Sequence, residues 1–472
     1  MKRKPLVVVM FILIVLLCSG CEQTHEAYSP LYRLIDANLA DTYHTIRRMD
    51  QETPYTLVFE NVDGTSSVYI FSSPISYKNQ EGKLELMDSS LTKTTDRVMR
   101  KKGYSLENKS GDIKTYFPED IDQQPLLIQG EQDTLSFSPY GTVSGKLQKS
   151  TFTDVIGRPY DSAIYPNSTP LPIEYIPTDS GIMTNIIFHE KPETNELKFF
   201  VTPPDNTEIV VMDNQYIVFY DPQSNVPKAL VYPSFLRDSN GNYGMDCQID
   251  LQEHEDEVMI TWFLDDDFLN DSATQYPLTI SPSFALYRNS QPDSTIYSKR
   301  PSDNYYLSDY AILSNRENQD KSLHYLRFRV NYFFGTYAEN IKSARYVPTL
   351  LGGSSEPAVI EMLALNDMWG STSVTWKKQY PTYGVECQTE VAGLGQYEFD
   401  ITEFIKRCVR DDTWTREAYG LAMHAADGEA QKIFATSDHA FYRPYVRVDF
   451  YDMPWSFERQ QSINPDWRSG QW

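Results

Sequence analysis

The thirteen residues "WGSTSVTWKKQYP" (369–381) bring serine, threonine and lysine close enough in sequence to raise the chemistry of a nucleophile beside its base. A Ser-x-x-Lys nucleophile needs both groups on one helical face, three residues apart. Here Trp376 stands three places after Ser373, and Lys377 stands four. The segment reads as a strand through "SVTW", where i and i+4 lie about 13 Å apart, too far for proton transfer. On that strand Val374 and Trp376 share the face toward the core, and Thr375 and Lys377 the other.

The remaining candidates for catalysis fall short in similar ways. "GTVSG" (141–145) sets its serine one place late for a nucleophile elbow. His189 in "HEKPE" and His254 in "HEDEV" lack the second histidine of a zinc-peptidase helix. "DSNGNYGMD" opens like a calcium loop at Asp238, Asn240 and Asn242. It carries Tyr243 where the turn needs glycine and Ile249 in place of the closing glutamate, so it reads as a hairpin turn. Asp265, Asp266, Asp267 and Asp271 in "LDDDFLND" are the candidate ligands of a structural Ca²⁺, against the alternative of a solvated acidic turn. No other cofactor is expected. With 65 acidic residues, pairs at glycosidase spacing arise by chance and single out no catalytic pair. The chain reads as non-enzymatic.

Binding chemistry is better represented. Tyr305, Tyr306 and Tyr310 lie in the polar stretch "SDNYYLSDY", and aromatic rings cover the apolar faces of pyranoses. Lys377 and Lys378, at the end of the "TW" strand, suit an acidic polysaccharide.

Composition bounds the elements that carry these groups. The chain has 472 residues, enough for two or three domains. Its net charge of −23 excludes nonspecific nucleic-acid binding, which needs clustered Lys and Arg. "MKRKP" and the apolar run "LVVVMFILIVLLC" read as a signal peptide, the run being too short to span a bilayer. "CSGC" then resembles a lipobox, with Cys18 at the place where leucine is preferred. Cys21 is the expected lipidated residue, its acyl (palmitate-type) chains anchoring the protein to the outer face of a cell membrane. Cys247, Cys387 and Cys408 have no short spacing and form neither a disulfide framework nor a zinc site; Cys387–Cys408 is the disulfide most open to them.

The pattern along the chain is all-β. Residues 1–20 are the signal peptide and 21–50 a tether with a short helix. Residues 51–288 form a β-rich module with runs such as "YTLVFE", "LKFFVTP" and "EVMITWFL", separated by turns such as "NVDG" and "TDSG". Residues 289–453 form a jelly-roll-type β-sandwich, interrupted by one helix in "ITEFIKRCVRD". There Ile401, Phe404 and Ile405 keep helical spacing. Residues 454–472 are a polar tail.

The C-terminal block resembles the DNRLRE domain, also classed as carbohydrate-binding module family 96. The residues that carry the resemblance begin with the Asp-led strand from Asp293 and "YLRFRV" (325–330). Trp369, Val374, Thr375 and Trp376 follow, with Ser371 where that family often has Glu. "FDIT" with Asp400, "YGL" at 419–421, Phe434–Ser437 and "RPYVRVDF" complete the series. The preceding block is similar to the N-terminal module of wall-associated and rearrangement-hotspot repeat proteins, through "YKNQEGKLELMDSSL", "IEYIPTDSGIMTNIIFHEKP" and "YPLTISPS". These resemblances imply a non-catalytic bacterial surface protein. Its partners are the membrane, through the lipid anchor, and an envelope or extracellular polysaccharide such as a cell-wall glycan. The alternative is a structural scaffold that docks a protein and has no glycan ligand.

Overall fold

The computed structural model describes residues 30–452, apart from 170, 213–215, 233–234, 245, 289–291, 318–319, 329–335, 411–419 and the side chains of 32 and 37. The signal peptide, Cys21, Val330, Tyr419 and the polar tail lie outside the described residues. The fold is all-β, built of antiparallel sheets.

Strands form where apolar residues alternate with polar ones. In Glu196–Thr202 (ELKFFVT), Leu197, Phe199 and Val201 are buried, and the residues between them are not. This strand lies within an eight-stranded sheet that begins at Asp88–Lys93 and ends at Gln248–Glu253. An eleven-stranded sheet, running from Gln148–Thr153 to Glu208–Met212, packs against it. Their shared core is aromatic: Phe137 stacks on Phe284 at 3.9 Å, and Trp262 meets Phe199 edge-on at 5.7 Å. Gly181 lets Gly181–Phe188 approach Ser283–Leu286, since a Cβ there would sit 1.9 Å from the Phe284 carbonyl oxygen.

A second sandwich follows. Its outer sheet has the order Arg300–Tyr305, Asp293–Tyr297, Ser322–Leu326, Leu421–Ala425, Ala358–Leu365, Thr382–Val391. A four-stranded sheet and a further six-stranded sheet face it across a core that includes Ile360, Met362, Leu421, Phe434 and Val448. The helix expected around Phe404 is present as Thr402–Arg410, with Phe404, Ile405 and Cys408 buried. Cys247, Cys387 and Cys408 are free thiols.

The six-stranded inner sheet departs from the expected division at residues 50 and 51. Its strands are His44–Arg47, Thr56–Asn61, Ser66–Phe71, Tyr445–Phe450, Ile341–Val347 and Phe399–Asp400. Residues read as tether and first module therefore supply half the strands of a sheet in the second sandwich. Ser66–Phe71 pairs with Tyr445–Phe450 from Ser66↔Phe450 to Phe71↔Tyr445. The reason lies in "SSVYIF", all six residues of which are buried. Val68 and Ile70 enter the sandwich core. Tyr69 and Phe71 enter a second cluster with Ile35, beneath the short helices Pro30–Leu34 and Ala37–Thr42. A strand apolar on both faces needs cover on both, and this sheet provides it.

The two sandwiches join through a tyrosine-rich seam. Tyr216, Val218, Leu230 and Tyr232 of the eleven-stranded sheet pack on Tyr297, Tyr305 and Leu307.

Candidate binding surface at the 366–381 loop

The segment 366–381 is not the strand that its "SVTW" run suggests. It is a turn-rich loop joining Ala358–Leu365 to the edge strand Thr382–Val391. Its own hydrogen bonds explain the difference. The Gly370 carbonyl accepts from the amides of Ser373 and Val374, both at 3.0 Å, and the Lys378 amide donates to the Thr375 carbonyl at 2.9 Å. These i→i+3 and i→i+4 bonds close tight turns and leave no run for a ladder.

Other elements pin the loop to the outer face of the outer sheet. Asn304 Nδ2 donates to the carbonyls of Ser371 and Val374 at 2.6 and 2.7 Å. Arg327 Nη2 donates to the Trp369 carbonyl at 2.6 Å, its guanidinium lying 5.3 Å from the Trp369 ring centre. The Tyr380 amide donates to the Tyr325 hydroxyl at 3.2 Å, and the Lys377 amide to the Pro301 carbonyl at 2.9 Å. Trp369 and Val374 are buried there with Ile296, Tyr325 and Ala422. Val374 thus packs inward as expected, but onto the outside of the sheet rather than between the sheets.

Trp376 and Tyr380 are only half-buried against this cluster. Lys377 and Lys378 are exposed beside them. Lys377 Nζ donates to Ser302 Oγ at 2.9 Å, and Lys378 Nζ stands 6.0 Å from the Tyr380 ring centre. Next to the loop, Met368, Tyr383 and Val385 are more than half exposed. Val385 lies opposite Leu363, which packs beneath the loop, so both side chains share this face. One indole ring, one phenol ring, two ammonium groups and an apolar margin therefore lie close together. Ser373 Oγ donates to the Gly370 carbonyl at 3.3 Å, so neither it nor Lys377 is poised as a nucleophile with its base.

The other expected site residues lie elsewhere. Tyr305 and Tyr310 are buried at 4% and 7% exposure, against the exposed, sugar-facing position expected of rings in this polar stretch. Tyr305 sits in the seam cluster, Tyr310 meets Phe235 edge-on at 4.4 Å, and the Tyr306 hydroxyl is 2.8 Å from that of Tyr220. The first sandwich covers the rings that were expected to face a sugar. The alternation of "SDNYYLSDY" shows that one face is apolar but not that a second domain covers it.

Asp265 is a helix N-cap. Its Oδ1 accepts from the Phe268 amide at 2.9 Å and its Oδ2 from the Asp246 amide at 3.1 Å. Asp266 and Asp267 occupy the first turn of Asp266–Asn270, and Asp271 accepts from the Ala273 amide at 2.9 Å. The four carboxylates serve one short helix and do not converge. Among the described residues no group of three or more His, Cys, Asp or Glu side chains is placed to hold a metal ion. Asp400 accepts from the Thr402 amide and hydroxyl at 3.0 and 2.6 Å, just before the helix Thr402–Arg410.

One buried polar group has no counterpart in the sequence reading. His324 Nδ1 lies 3.0 Å from Thr295 Oγ1, and its Nε2 lies 4.0 Å from Asp293 Oδ2, which accepts from the Ser437 amide at 2.8 Å. Burial pushes the Asp293 carboxyl up and the His324 imidazole down, so both favour their neutral forms. Asp293 and Ser437 also line a cavity of about 20 Å³, room for one water and far too small for a sugar ring. Only the tertiary contact unites these residues, which span 293 to 437.

No protein-family model matches the chain, and no curated relative does. Among solved structures it is similar to exo-β-1,3-galactanase from Phanerochaete chrysosporium with galactose. The match has 9% identity and a TM-score of 0.13, and covers 81% of this chain and 100% of that one. A variant of the same enzyme with β-1,3-galactotriose matches at 8% identity and a TM-score of 0.13, covering 86% and 96%. At that TM-score the likeness carries no argument about fold or function.

Proposed function

We propose that this protein is a non-catalytic, lipid-anchored cell-surface protein that holds an acidic envelope or extracellular polysaccharide on the outer face of its second sandwich. The observation that carries this reading is the 366–381 loop. It presents the half-buried rings of Trp376 and Tyr380 beside the exposed Lys377 and Lys378, on a backbone pinned by Asn304 and Arg327. Rings cover pyranose faces, ammonium groups pair with uronate or phosphate substituents, and the fixed loop lowers the entropy cost of binding.

Binding of the full chain to an array of acidic and neutral glycans tests this. Trp376→Ala should lower affinity for the preferred glycan about tenfold or more, and Lys377→Ala with Lys378→Ala should remove the preference for acidic over neutral glycans. Absence of binding to every wall or matrix glycan would refute the proposal.

The scaffold reading has one observation in its favour. Thr382–Val391 is a ten-residue edge strand whose first half is exposed, with Tyr383 and Val385 presented. An edge of that kind accepts a strand from a protein partner.

A further inference from the structure

A cavity of about 40 Å³, room for a few waters, lies where the N-terminal helix, the first sandwich and the second sandwich meet. Arg33 comes to it from the helix, Tyr160 and Asp179 from the first sandwich, and Arg443 from the second. Arg443 is balanced, its Nη1 donating to Asp179 Oδ2 at 2.6 Å. Arg33 is not. Its Cζ lies 4.9 Å from the Tyr160 ring centre, and its Nη1 reaches only Ser89 Oγ, at 3.4 Å. Its Nε and Nη2 are buried and meet no acceptor among the described residues.

Those two nitrogens form one edge of the guanidinium, a fork that grips two oxygens at once. The same edge of Arg47 holds both carboxylate oxygens of Glu52, at 2.8 and 2.7 Å. At Arg33 no carboxylate among the described residues occupies that place. Two arginines and one aspartate line the cavity; nearby, the Arg158 guanidinium donates to the Arg33 carbonyl at 2.8 Å, and the Arg158 amide donates to Asp154 Oδ1 at 2.7 Å. Arg33 as a whole is half-buried, but this edge of its guanidinium is shielded from water with its donors unpaired, an arrangement that favours an anion.

We propose that the Nε–Nη2 edge of Arg33 binds a small oxyanion of the carboxylate or phosphate class, and that the bound anion staples the N-terminal helix to both sandwiches. The cavity is small, about 40 Å³, which suits a free anion of the medium better than a group carried on a sugar or a lipid.

Thermal unfolding of the full chain in detergent, with inorganic phosphate or acetate titrated against sodium chloride at constant ionic strength, tests this. A saturable rise in midpoint of about 2 °C or more over chloride is expected. It should be lost in Arg33→Gln and in Arg33→Lys, which keeps the charge but not the fork. Phosphorus-31 line broadening of inorganic phosphate by the wild-type chain, relieved by acetate, gives a readout independent of whether the variants fold. Equal midpoints in all salts with no broadening would overturn the proposal, as would an undiminished response in Arg33→Gln. Stabilisation by phosphatidylglycerol vesicles but not by free phosphate would overturn the free-ion assignment.

Discussion

Asn304 shows how much one side chain decides at the binding surface. Its amide nitrogen supplies both hydrogens to carbonyls of the 366–381 loop, while its Oδ1 accepts from the Tyr306 amide at 3.1 Å. It thereby couples the loop to the strand that enters the seam. Asn304→Ala removes all three bonds, and at about 1 kcal/mol net each the variant should be destabilised by about 2–3 kcal/mol. Hydrogen exchange should accelerate selectively over 369–380 while the first sandwich keeps its protection; uniform protection of the loop in the variant would count against this. Cys387 is a second instructive residue. Burial pushes its thiol up to about 12, so it is a poor nucleophile and packs as a small apolar group against the second core.

The decisive element is Ser66–Phe71. It carries core residues on both faces, and Ser67 Oγ donates to Asp449 Oδ1 at 2.5 Å across 382 residues of chain. Ile70→Ala should cost about 2–5 kcal/mol. The exposed Thr45→Ala nearby should cost less than about 1 kcal/mol, both read from urea unfolding. The same pairing governs dissection of the chain. A fragment of residues 289–453 lacks three strands of its inner sheet and exposes the edge of Tyr445–Phe450. It should be insoluble or molten alone and gain fixed near-ultraviolet circular dichroism when residues 30–78 are fused ahead of it. A well-folded, monomeric 289–453 fragment would show that the inserted strands are dispensable.

At the scale of the whole molecule, the seam makes stability depend on pH. The Oδ1 of Asp309 is buried there without a hydrogen-bond partner among the described residues, close to Tyr216, Tyr232 and Tyr310. Desolvation pushes its carboxyl up to about 7. A carboxyl raised in the folded state above its unfolded value near 4 adds stability that is full below about pH 4 and lost as pH rises through about 7. Between pH 5 and 8 the wild-type midpoint should therefore fall relative to that of Asp309→Asn, by the equivalent of a few kcal/mol at most. Parallel curves for the two proteins would refute the assignment.

The all-β class was legible because alternation, turn residues and aromatic content are local properties, and each strand writes them into its own few residues. The helix around Phe404 was legible for the same reason. The WGSTSVTW segment shows the limit. Its composition suits a strand, yet the hydrogen bonds that make it a loop come partly from Asn304, Arg327 and Tyr325, which local pattern does not reveal. Likewise, the sequence marks Tyr305 and Tyr310 as aromatics in a polar stretch, while the tertiary structure buries them under the first sandwich and leaves Trp376 and Tyr380 as the rings beside the lysines. By itself the sequence determined which residues are apolar and how they alternate. Only the tertiary structure decided which faces are covered, because burial depends on contacts between segments that can lie hundreds of residues apart.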